Sequence, residues 1–237
     1  MSELLERKVG IVACSGEELP EGTVTRLAAL KVLSELRPDD TVTICLPLFL
    51  AGGQGDRAFA RFHPTITVDG CELRCAARAT EMYSAKPAAS VVVNELIAER
   101  GLDKPEGCRR LNEAGRQAVE ITAKHVAELV DKLLDKKEPV KTSDEPTKRK
   151  AGEASCSCGS GIPVLNLLIE GKTVELVALP LIFRKFHTAG RGLDETVTEE
   201  LFETVKVYNA VPPEAEASFR EAILREYKTY CEQEDNK

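Results

Sequence analysis

The chain has 237 residues, 43% of them hydrophobic and 30% charged, which suits a globular protein with a real core and room for one domain plus a smaller module. A formal net charge of −7 argues against nucleic acid as a partner. No stretch reaches the roughly 18–20 uninterrupted apolar residues that a membrane span needs, and Glu3 and Glu6 stand where a signal segment would be apolar, so a cytoplasmic protein without membrane contact is expected.

In chain order, a strand is expected at 8–13, a helix at about 22–36 and a strand at 41–46. A further strand at 65–68 leads into a helix at 72–84, followed by a strand at 90–94 and a long amphipathic helix at about 109–134. Val24, Leu27, Ala28, Val32 and Leu36 share one face of the first helix. Leu111, Ala114, Ala118, Ile121, Leu129 and Leu133 share one face of the last, and both stripes are the pattern of core. Strands alternating with helices predict an α/β fold with an open, mostly parallel sheet and flanking helices. The loop at 14–23 has no dinucleotide or P-loop glycine pattern, and Glu17, Glu18 and Glu21 would repel a phosphate there. Gly52-Gly53-Gln54-Gly55 reads as a flexible loop able to cover the rim beside it.

Composition then shifts to charged, Pro-, Thr- and Ser-rich sequence, which divides the chain into a domain at 1–138, a flexible linker at 139–155 and a module at 156–237. Lys148-Arg149-Lys150 has no aromatic neighbours and reads as a solvated face. The module is expected to be a small α+β unit. It has a strand at 163–169, a turn at 170–172 and a strand at 174–183 that Pro180 pushes to an edge or a break. A helix at about 194–208 carries Leu193, Val197, Leu201, Val205 and Tyr208 on one face, and a last helix from Pro212-Pro213 to about 231 carries Phe219, Ile223, Tyr227 and Tyr230. Such a hairpin with two helices could dock an unidentified protein partner. Among the histidines, His63 could replace a missing thiol ligand, His125 lies on a helix surface, and His187 joins Arg184, Lys185 and Arg191 in a basic loop. Cys108 and Cys231 have no partner motif and read as structural.

The remaining cysteines carry the chemistry. In an open parallel sheet the carboxyl ends of the strands face one crevice, where ligands collect. Cys14 follows the first strand, Cys45 lies toward the end of the second, and Cys71 follows the third, with Cys75 four residues on at the start of a helix. Amides at a helix start favour thiolate, the form that binds metal or attacks an electrophile. Gly70 allows a tight turn, and Asp69 can cap the helix or accept a hydrogen bond behind the thiols. Asp69 and Glu72 are the nearest candidate general bases should the site be catalytic. In Cys156-Ser157-Cys158, two thiols one residue apart could clamp a soft metal or cycle through disulfides.

The pieces Gly10-Ile11-Val12-Ala13-Cys14-Ser15-Gly16, Thr43-Ile44-Cys45-Leu46-Pro47 and Val68-Asp69-Gly70-Cys71-Glu72-Leu73-Arg74-Cys75-Ala76 together resemble the DGC-domain family, over roughly the first hundred residues. That family is named for its Asp-Gly-Cys motif and described as binding zinc through four cysteines. The resemblance implies Cys14, Cys45, Cys71 and Cys75 as ligands, with zinc as the cofactor; an all-cysteine donor set would also suit an iron–sulfur cluster, the lesser alternative. Four thiolates close a tetrahedral shell, which suits a structural, sensing or trafficking role. The alternative is a thiol redox or sulfur-transfer enzyme that uses these cysteines or the pair Cys156 and Cys158. A third option is an adaptor whose metal only braces the fold.

Overall fold

A computed structural model describes residues 8–134, 162–190 and 195–235; 8–134 belong to one compact unit and 162–190 with 195–235 to a second. The expected linker at 139–155, together with Cys156 and Cys158, lies outside the described residues.

The first unit is built on strands β1 (Val9–Ala13), β2 (Thr41–Ile44), β3 (Thr65–Asp69) and β4 (Ala89–Val92), all parallel and ordered β2-β1-β3-β4. All five residues of β3 are buried, as in a sheet covered on both faces. Val9, Ile11, Ile66, Val68 and Val91 meet helices α1 (Pro20–Lys31), α5 (Val93–Glu99) and α6 (Glu113–Leu133) through Val24, Ala28, Leu96, Val126 and Val130. Each such valine, leucine or isoleucine contributes roughly 1.5–3 kcal/mol by leaving water. On the alternate residues of β1, Gly10 faces Ile44 and Phe59, the latter from α3 (Gln54–Phe62), which packs with α2 (Leu46–Leu50) and α4 (Cys75–Tyr83).

The expected α/β layout is therefore present, with several boundaries corrected. The first helix starts at Pro20, as proline in a first turn favours, and widens into a π turn at Val32–Leu36 closed by Arg37 N–H on the Val32 carbonyl at 2.8 Å. The strand expected at 41–46 ends at Ile44 because Pro47, with φ fixed and no N–H, opens α2. The apolar run 46–50 carries the same residue types as a buried strand and hid that helix. Of the segment expected to be a flexible glycine loop, Gly52 ends a turn begun at Ala51, Gly53 precedes α3, and Gln54 and Gly55 are its first two residues. The strand expected at 90–94 stops at Val92, and α5 begins at Val93. Asn112 moves the start of α6 to Glu113, its side-chain oxygen accepting from Gly115 N–H at 2.8 Å.

In the second unit, β5 (Val164–Ile169) and β6 (Lys172–Val177) pair antiparallel around Glu170 and Gly171, whose φ values of 49° and 77° define a two-residue turn that matches strand twist. The second strand is much shorter than the expected 174–183. Ala178 turns left-handed at φ 63°, and Pro180 sits in the first turn of helix α7 (Leu179–Thr188) rather than at a sheet edge. Apolar residues in a row do not distinguish a strand from a buried helix, and here the helical period of Leu179, Ile182, Phe183 and Phe186 prevailed. Helices α8 (Glu195–Tyr208) and α9 (Glu216–Asp235) follow, α9 preceded by one 3-10 turn at Pro213–Ala215 and running past the expected end at 231. Of the expected stripes, Val197, Leu201, Val205, Phe219, Ile223 and Tyr227 are buried and are joined by Phe202; Tyr208 and Tyr230 are half-buried, and Leu193 lies outside the described residues.

Candidate functional site

Strand order reverses between β1 and β3, so their carboxyl ends flank the crevice where parallel sheets bind ligands. Cys14 and Gly70-Cys71 are the residues that leave those two strands. Cys14 N–H still bonds the Val68 carbonyl at 2.9 Å, and Gly70 N–H donates to Cys14 Sγ at 3.3 Å. Cys14 Sγ also lies 3.7 Å from Thr25 Oγ1, which donates its hydroxyl proton to the Gly22 carbonyl at 2.7 Å and accepts from Ser15 N–H at 3.1 Å. The first strand end and the first helix start are thus locked together around this sulfur.

Each member of Asp69-Gly70-Cys71 has a physical role. Asp69 is 1% exposed, and its two carboxylate oxygens accept from Ala76 N–H at 2.7 Å and Ala77 N–H at 3.1 Å. It caps α4 from the end of β3, across the intervening turn. Burial pushes the Asp69 carboxyl up from its ordinary value, while those amides and Arg74 pull the other way. Gly70 packs on the start of α1, where a Cβ would stand 3.1 Å from the backbone of Glu21 and Gly22. Gly22 is more constrained still, since a Cβ there would fall 1.9 Å from the Gly16 carbonyl oxygen. Cys71 opens a turn closed by Arg74 N–H on its carbonyl at 3.1 Å, and Arg74 adopts φ 50°. The helix accordingly starts at Cys75 and not at 72, so Cys71 and Cys75 are not two sulfurs of one helical turn. The turn and the Asp69 cap orient them instead.

Burial, and then the charges of Cys14, Asp69 and Cys71, raise the Cys75 thiol above its ordinary value. Three of the four expected ligands therefore share one electrostatic neighbourhood. Cys45 is placed by register: Val12 pairs with Ile44, which sets Cys45 across from Ala13 on the adjoining edge strand. It is half-buried and precedes α2, and it is not among the charges acting on Cys75. Among the described residues no group of three or more His, Cys, Asp or Glu side chains is already arranged to hold a metal ion. The donor chemistry of Cys14, Cys71 and Cys75 nevertheless fits a soft, thiolate-binding metal, because the three come from two adjacent strand ends and one helix start.

Other candidates fall elsewhere. His63 ends α3 and stacks on Phe59 with ring centroids 4.2 Å apart, at the amino end of β3, so it cannot replace a thiol at the carboxyl rim. His125 is half-buried on α6. His187 lies on α7 with Arg184 and Lys185, not in a loop, and its Nε2 meets Asp235 at 3.0 Å, while Arg191 is outside the described residues. Glu72 is exposed at the rim. Cys108 donates to the Glu18 carbonyl at 3.5 Å, and Cys231 lies beside Tyr227, whose hydroxyl pKa burial raises.

A cavity of about 550 Å³ opens beside Cys71, walled by the start of α1, the turn after β3, the start of α5 and the loop 104–107. Of the residues that line it, sequence reasoning gave Asn94 and Lys104 no role and assigned Glu21 only a repulsion of phosphate. Only tertiary folding brings these segments together. No helix among the described residues is long and apolar enough to cross a membrane.

Residues 10–120 match a family model described as the DGC domain. No curated protein and no solved structure matches the chain.

Proposed function

We propose that this chain, whose residues 10–120 match the DGC domain model, holds a zinc ion through Cys14, Cys71 and Cys75, with Cys45 as the fourth donor. The observation that carries this reading is the placement of Cys14 and Cys71 at the ends of β1 and β3, beside the switch point, with both among the charges that, after burial, raise the Cys75 thiol. A divalent cation held there would offset the negative charge gathered at this rim. Zinc in an all-thiolate shell would brace the rim or report metal or thiol status, and it would have no open coordination position for hydrolysis. The raised Cys75 thiol argues against that residue as a free nucleophile, which weakens the thiol-enzyme alternative at this rim.

Elemental analysis of anaerobically purified protein tests the reading. One zinc per chain is expected, lost in Cys71→Ser and Cys14→Ser. Equal metal content in wild type and both variants, or none in any of them after growth with added zinc, rejects it, and iron with acid-labile sulfide would reassign the cluster.

A further inference from the structure

The cavity beside Cys71 contains a carboxylate that the metal reading does not use. Glu21 is the second residue of a 12-residue helix and is 3% exposed. Among the described residues its side chain enters no hydrogen bond or ion pair. Its small open part belongs to the cavity wall. A carboxyl this enclosed, with no protein partner and its open part on a cleft, is the kind of group a binding site presents to a ligand.

The remaining walls define the ligand. Leu19, Pro20, Leu73 and Pro105 are apolar, and about 550 Å³ is room for a small organic molecule rather than a bare ion. Of the charged groups on the wall, Glu21, Glu72 and Glu106 are acidic and Lys104 alone is basic, so the field favours a cation. We propose that this cleft binds a small molecule carrying an ammonium group, whose charge pairs with Glu21 while its carbon body lies against the apolar walls. The inference goes beyond the metal site and does not depend on a metal at Cys71.

The test is a two-dimensional NMR titration of the full chain with n-butylammonium chloride, with n-butanol as the neutral isostere and zinc chloride as the bare cation. Saturable shifts are expected at the amides of residues 19–22 and 104–107 with butylammonium and not with butanol. Glu21→Gln should weaken butylammonium binding by about tenfold or more, the scale of a charge-assisted hydrogen bond, without altering the spectrum elsewhere. Unsaturable or scattered shifts in the wild type overturn the proposal, as do equal affinity in Glu21→Gln, equal response to butanol, or a Glu21-dependent response to zinc alone. If Glu21→Gln does not fold, the wild-type titration decides by location and by the butanol comparison.

Discussion

Asp69 shows how one side chain can organise the rim. It ends a strand, yet its oxygens serve the second and third amides of a helix that starts six residues later, and so fix Cys75 relative to Cys71. An ordinary N-cap lies immediately before its helix. Here Arg74 occupies that position in a left-handed conformation without a capping side chain, and the distant carboxylate takes over. Asp69→Ala should lower stability by about 2 kcal/mol, since it strands two amides, and Asp69→Asn by about 1 kcal/mol, since one acceptor remains. Urea unfolding midpoints measure both, and an alanine variant as stable as wild type would deny Asp69 its capping role. That Asp69 caps the helix is an expectation drawn from residue type. The identity of its partners, Ala76 and Ala77 rather than residues nearer 72, depends on the turn that Cys71 and Arg74 close.

Among elements, the second unit rests on a polar link that no apolar stripe reveals. Asn209, just beyond α8, accepts from Val177 N–H at 2.7 Å and donates to the carbonyls of Val177 at 3.1 Å and Val205 at 3.0 Å. It is 9% exposed and joins the end of β6 to α8 where Ala178 breaks the strand. Asn209→Ala would leave the Val177 amide and carbonyl buried without partners, at about 2–3 kcal/mol. Calorimetric unfolding checks this, and an unchanged transition would mean that water replaces the amide. A comparable link in the first unit joins Arg37, after the π turn, to Asp131 of α6, with Nε 2.7 Å from Oδ1. Partners this far apart in sequence have no spacing by which a single chain announces them.

For the whole molecule, the metal reading has a consequence that differs between the two units. If zinc braces the rim, chelation should speed amide hydrogen exchange at residues 13–15, 45 and 69–76, where the strand ends and the α4 start would lose their common anchor. Exchange in the β5–β6 hairpin and in α9 should stay as it was. Uniform acceleration across both units, or none at the rim, would contradict a local metal brace.

Alternating apolar runs sufficed to identify a parallel α/β unit, because a strand buried on both faces and a helix buried on one leave different periods in the chain. The Asp-Gly-Cys motif likewise marked the rim, since a strand end, a flexible turn and a thiol must follow one another there. Local composition could not separate α2 or α7 from strands, because apolar side chains in a short run suit either element. Tertiary structure alone decided that Cys75 begins its helix under Asp69, that His63 lies at the wrong end of β3, and that Glu21 meets Cys71 across a cavity. Each depends on which strands become neighbours, and neighbour choice is settled by packing over distances that no local pattern spans.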